Sequence, residues 1–217
     1  MISVENMAKI SATMKNLEKN NMTAYYVEKK QDVPKLVAEL IGKGDSIAFG
    51  GSVSLAECGV MDFVRNGDYR IIDRYAPGLT REQINQVFRE SFFADHYLCS
   101  TNAVTESGVL YNVDGTGNRV AAMLYGPKSV ILVVGYQKIV KDIDEAVERV
   151  RTVASPKNCK RLSYENSVCY QTGSCVACGE ELPAACANGI CHDFVVMAKQ
   201  SIAGRIKVIF VGEEVGY

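Results

Sequence analysis

Apolar residues follow two rhythms along this chain. Val4, Met7, Ile10, Met14 and Leu17 recur at three- and four-residue intervals and predict a helix over 4–19. Thr23–Val27 then predicts a short strand. A second helix follows over 33–41 on Val33, Leu36, Val37, Leu40 and Ile41, with Asp32 as a cap and Pro34 in its first turn. A strand at 46–49 ends abruptly in Gly50-Gly51, and residues 52–65 and 69–72 predict a helix and a strand. Thr80-Arg-Glu-Gln83 has the form of a capping box before a helix whose face is Ile84, Val87 and Phe88. Strands at 96–99 and 109–112, a helix at 117–125 and an apolar strand at 130–134 come next. An amphipathic helix at 139–153, on Ile139, Ile143, Ala146, Val147 and Val150, precedes a closing strand at 206–211.

Strands separated by helices, several of them apolar throughout, predict an α/β fold with a mostly parallel sheet buried on both faces. The strands at 46–49, 69–72, 96–99, 130–134 and 206–211 are expected in that one sheet. Around Pro156 the alternation yields to a cysteine-rich stretch, and the pattern resumes in the last strand. The expectation is a single domain over 1–217 with a cysteine-rich insertion at about 156–204.

Composition narrows the function. The 217 residues are 47% hydrophobic, enough for a proper core, and carry a formal net charge of −1. Such a balance disfavours a nucleic-acid surface. The apolar run Ser129–Gly135 is too short to span a bilayer, so no membrane insertion is expected. The first residues spread their charges through a helical pattern and lack the apolar segment of a signal peptide. A cytoplasmic location is expected, and in a reducing compartment clustered cysteines are more often metal ligands or redox groups than disulfides.

Three segments could carry chemistry. Gly50-Gly51-Ser52 joins a buried strand to a helix, where glycines let backbone N–H groups approach an anion; a plain tight turn is the alternative. Asn102, Glu106, Asp114, Gly115, Gly117, Asn118 and Arg119 crowd one polar stretch between apolar strands. There Arg119 could hold a carboxylate or phosphate in bidentate fashion, and Glu106 could act as base or nucleophile. The alternatives are a Glu106-Ser-Gly hairpin turn with a solvated carboxylate and an Arg119–Asp114 salt bridge. The two loops are expected to share one cleft for a small anionic ligand, because strand ends gather at one edge of an α/β sheet. The third segment holds Cys169, Cys175, Cys178, Cys186 and Cys191, spaced x5, x2, x7 and x4. Four thiolates can enclose Zn²⁺ or an iron–sulfur cluster. A single Cys-x2-Cys pair favours the cluster over zinc, which usually takes two such knuckles. Cys58 and Cys99 read as small core residues, Cys159 is ambiguous, and His192 reads as a neighbour of Cys191.

The stretches Gly50–Gly59, Thr101–Ala121, Gly126-Pro-Lys128 and Val133–Val140 resemble the lactate-utilisation (LUD) domain family. That resemblance implies an α/β/α fold similar to the sugar-phosphate isomerase and CoA-transferase superfamily. It also implies a part in oxidising L-lactate through an iron–sulfur complex. Cys169–Cys178 and Ile190-Cys191 resemble the cysteine tail of a subset of the family, though Val168 stands where proline is expected and the segment 179–189 is longer. The resemblance implies Cys169, Cys175, Cys178 and Cys191 as ligands of a [4Fe–4S] cluster, with Cys186 the rival fourth ligand and zinc the alternative metal. It also leaves open a transferase- or isomerase-like enzyme using Glu106, and a non-catalytic assembly subunit. A redox protein partner and a homo-oligomer are the remaining expectations.

Overall fold

The computed structural model describes residues 2–175 and 188–217. In chain order its elements are α1 (Val4–Lys19), β1 (Thr23–Val27), α2 (Val33–Leu40), β2 (Ser46–Phe49), α3 (Val53–Glu57), α4 (Val60–Arg65) and β3 (Arg70–Ile72). Then come α5 (Arg81–Glu90), β4 (His96–Cys99), β5 (Ala103–Thr105), β6 (Leu110–Asp114), α6 (Asn118–Leu124), β7 (Ser129–Gly135) and β8 (Ile139–Val140). The remainder are α7 (Ile143–Arg149), α8 (Ser155–Arg161), α9 (Val168–Thr172), β9 (Asp193–Met197) and β10 (Ile206–Val211).

Six strands form one wholly parallel sheet in the order β1-β10-β7-β4-β2-β3. The five strands expected together are all in it. Side chains alternate across a strand, so each apolar strand feeds two cores. On β7, Val130, Leu132 and Val134 join Ile10 and Leu17 of α1 and Met123 of α6 on one face. Ile131 and Val133 point the other way, to Val33 and Val37 of α2, Leu55 of α3 and Val60 and Val64 of α4. The fold is therefore three-layered α/β/α. No helix among the described residues is long and apolar enough to cross a membrane.

Three expectations change. A second sheet, β8-β5-β6-β9, stands beside the first. It shares the α1-side core through Val104, Leu110, Ile139 and Met197, and packs Tyr111 and Val113 against Ala146 and Val150 at its other face. Its strand β9 falls within 156–204 and pairs antiparallel with β6. The predicted helix at 139–153 is also divided: Ile139 and Val140 form β8, paired with β5. Residues Val150–Ala154 then make a π-helical turn between α7 and α8. Pro156 sits in the first turn of α8, directly after the π-helical turn, where the Arg151 carbonyl accepts from Cys175 N. The helix expected over 52–65 breaks at Gly59, whose φ of 68° begins α4 anew.

Candidate functional site

All six parallel strands point their carboxyl ends to one edge, and a cleft of about 270 Å³ opens there. Its floor comes from the ends of β2, β4 and β7. The β6–α6 loop forms one side. Arg74 and Tyr75 after β3, the helix α8 and residues 190–192 complete it.

Gly50 is required by its neighbours: a Cβ there would lie 2.8 Å from Cys99 Cβ and 3.2 Å from Arg119 Cγ. Gly51 is open, with nothing nearer than 3.6 Å. Ser52 caps α3, its Oγ accepting from the Leu55 N–H at 3.2 Å. Gly115 lets the β6–α6 loop approach the chain before Cys191, since a Cβ would meet the Ile190 carbonyl at 2.9 Å. Gly117, at φ 75°, starts α6.

Arg119 has a different role from the expected carboxylate clamp. Its Nε donates to Asp114 Oδ1 at 3.3 Å. Nη1 donates to the Ser100 carbonyl at 3.0 Å and Asn112 Oδ1 at 2.7 Å. Nη2 donates to Asn102 Oδ1 at 3.1 Å and the Val113 carbonyl at 2.9 Å. All five guanidinium N–H groups are thereby spent on protein acceptors. Arg119 ties β4, β6 and α6 together, and the salt-bridge alternative is the one observed. Asn102 is a second node: its Oδ1 also accepts from Val113 N, and its carbonyl accepts from Arg149 Nη1 at 2.6 Å. Asn118 lines the cleft with no side-chain hydrogen bond among the described residues.

Glu106 does not share the cleft. It sits at the far end of β5, where the chain turns through Gly108 into β6, and its carboxylate is 3.6 Å from Lys9 on α1. Four residues from Asn102 at about 3.3 Å each carry it some 13 Å along the strand. The hairpin-turn alternative describes it.

Sequence reasoning missed the cleft's other cations. Arg74 lies over the Phe88 ring at 4.5 Å and near the Tyr75 ring at 5.3 Å. Arg161 donates to Asn158 and to the Tyr217 hydroxyl. Lys138 is buried at the floor and donates to Ser54 Oγ and Ser100 Oγ. Asp114 is the carboxylate among the described lining residues, and Arg119 engages it. The cleft is therefore electropositive. These cations lie on separate elements of the chain, so no local motif announces them.

The cysteine segment reaches the same cleft. Cys191 and His192 line it. The Cys191 Sγ is 3.0 Å from Ser155 Oγ on α8. His192 N donates to the Asp114 carbonyl, and its Nδ1 lies 2.8 Å from the Gly115 carbonyl, which can only accept, so Nδ1 carries the proton. Behind them Cys169 on α9 and Cys159 on α8 are buried with Sγ atoms 3.3 Å apart, grouped with Ile190 and Cys191. Burial pushes the Cys159 thiol up, with the Ser167 hydroxyl opposing it and Cys169 and Cys191 adding to it. Cys175 N–H donates to the Arg151 carbonyl of the π-helical turn. Cys178 and Cys186 lie outside the described residues. Among the described residues no three His, Cys, Asp or Glu side chains are grouped to hold a metal ion. Cys58 and Cys99 are core residues, their thiols pushed up to about 11 and 12 by burial.

Residues 10–211 match the LUD domain. The chain belongs to the LUD-domain family. No curated protein matches it. Among solved structures, this LUD domain is similar to a DUF162 family protein from Deinococcus radiodurans, at 16% identity and a TM-score of 0.49, over 95% of this chain and 96% of that one. It is also similar to eIF2B beta from Chaetomium thermophilum, at 15% identity and TM-score 0.37, over 54% of this chain and 44% of that one. For eIF2B delta from the same organism the values are 17% and 0.37, over 55% of this chain and 50% of that one.

Proposed function

We propose that this LUD domain binds a small organic anion of the lactate type in the cleft and carries a [4Fe–4S] cluster beside it, passing electrons to a redox protein partner. The observation that supports this reading is the meeting of two features in one place. Cys191 and His192 line the cleft that also holds Arg74, Lys138 and Arg161. Asn118 and Gly51 offer polar contacts with little protein competition, and the cations favour a carboxylate over a neutral ligand.

The donor chemistry of the cysteines suits the cluster. Soft thiols gather around Ile190 as Cys159, Cys169 and Cys191, and Cys175 is tied to the adjacent π-helical turn. Cys169, Cys175, Cys178 and Cys191 would hold the group, which when bound would supply one-electron transfer. The protein's own part is to anchor the anion, and to fix the thiol segment against the β6–α6 loop through His192.

Anaerobic preparation followed by iron, sulfide and zinc analysis and a visible spectrum tests this. A brown protein with iron and sulfide that loses both in Cys178→Ser, and keeps them in Cys58→Ser, is expected. A colourless zinc protein, or no iron after anaerobic reconstitution, would overturn the cluster. Absence of any rise in Tm with millimolar lactate, pyruvate or acetate would overturn the anion site.

A further inference from the structure

Lys138 is 2% exposed, and no carboxylate oxygen lies within 4 Å of its Nζ among the described residues. Its Nζ donates to Ser54 Oγ at 2.9 Å and to Ser100 Oγ at 3.1 Å. Those hydroxyls are themselves anchored: Ser54 donates to the Val215 carbonyl at 3.2 Å and Ser100 to the Val133 carbonyl at 2.7 Å. Two positive groups face the amine from neighbouring elements, Arg149 of α7 and Arg119 of α6. Glu57 of α3 opposes them more weakly, and the Cys58 thiol next to it is neutral near pH 7. A buried cation so placed needs either an arriving anion or the loss of its own proton.

We propose that Lys138 is an amine nucleophile that captures a carbonyl-bearing carboxylate, of the 2-oxo acid class, as a Schiff base in this cleft. The proposal rests on reading the cleft as an organic-anion site and names the substrate class for it. The amine is favoured over the serines because Ser54 and Ser100 commit their protons to backbone carbonyls and Ser54 is 1% exposed. Burial, reinforced by Arg149 and Arg119, brings Lys138 down to about 7, so near neutral pH much of it holds a free lone pair. In the reaction the Nζ lone pair bonds to the carbonyl carbon and the carbonyl π pair moves to oxygen. A proton leaves nitrogen for that oxygen by way of solvent. The carbinolamine then loses its hydroxyl and a second nitrogen proton as water, leaving C=N. No oxidant or reductant enters. The carboxylate end remains among the cations of the cleft, Arg74 and Arg161.

Reductive trapping tests this. The intact protein is incubated with pyruvate or glyoxylate and cyanoborohydride, and adducts are mapped by peptide mass spectrometry. One dominant adduct on Lys138 is expected, with a trapping rate that climbs through about pH 7 and levels off well below the ordinary lysine range. Ser100→Ala removes one of the two acceptors that position Nζ and should slow trapping by about tenfold. Lys138→Met should abolish it, and should fold, because replacing a buried cation with an apolar side chain of similar size is commonly tolerated. In the wild type, saturating acetate should protect Lys138, a readout that needs no variant. If pyruvate and acetate both raise Tm yet Lys138 carries no adduct, or only exposed lysines such as Lys128 react, this inference fails and the anion site stands. If neither ligand raises Tm and Lys138 is not trapped, the anion site fails as well.

Discussion

At the scale of the residue, Arg119 shows how a side chain with binding chemistry becomes a structural one. Its fork is filled by acceptors from Ser100, Asn102, Asn112, Val113 and Asp114, and nothing remains for a ligand. Arg119→Lys keeps the charge but not the fork, and should cost roughly 2–4 kcal/mol in urea unfolding because several buried acceptors lose their donors. Glu106→Gln should change stability by less than about 0.5 kcal/mol and leave anion binding untouched, since the carboxylate is exposed and remote from the cleft. The paired glycines give a sharper contrast. Gly50→Ala drives a methyl into Cys99 at 2.8 Å and should cost about 1–3 kcal/mol. Gly51→Ala has room, so its effect should appear in ligand affinity and hardly in the unfolding midpoint.

At the scale of the element, the parallel strands are pinned at their amino ends by Asp95. Its carboxylate accepts from Ser46 N at 2.9 Å and Ser46 Oγ at 2.6 Å at the start of β2, and from Lys128 Nζ at 2.7 Å just before β7. The Asp95 backbone closes the joint, its N–H donating to Ser46 Oγ and its carbonyl accepting from Ser129 N. The Lys128 ammonium and the Ser46 donors hold the Asp95 carboxyl well below the usual carboxylate range. A depressed folded pKa means the contribution is complete above the unfolded value of about 3.9 and is lost as pH falls below it. Acid titration of stability should therefore show a limb below about pH 4 that weakens in Asp95→Asn, with that variant less stable than wild type at pH 7. Asp32 makes no side-chain cap bond on α2, but α5 follows from its end as expected: Thr80 and Gln83 form a reciprocal capping box. The helix predicted over 139–153 does not, because two residues at its start found a strand partner in β5. Periodicity alone cannot register a two-residue strand.

At the scale of the molecule, the last strand closes the sheet. β10 lies between β1 and β7, so without it β1 has no neighbour and Val208, Ile209 and Phe210 leave both cores. A chain ending at residue 204 should show no cooperative thermal transition by circular dichroism, whereas the full chain should unfold in one step. Retention of a cooperative transition in the shortened chain would refute this. The contacts of β10 with β1 span nearly the whole sequence, which also predicts slow folding relative to a helical protein of this length.

The sequence by itself determined the parallel sheet and its covering helices, because apolar runs such as 130–134 must be buried on both sides and helical periods report their own faces. It also located Gly50–Ser52 and Asp114–Arg119, since glycine turns after strands are local signals. The tertiary structure decided the rest. Sheet order and the second sheet depend on pairings between distant segments, with strands as short as β5 and β8. The electropositive cleft draws Arg74, Lys138 and Arg161 from separate elements, and Glu106 leaves it because its strand runs away from the sheet edge. Cys159, ambiguous in the sequence, comes beside Cys169 because α8 and α9 pack together. Each of these outcomes is a contact across space, and a one-dimensional pattern carries no measure of which distant residues meet.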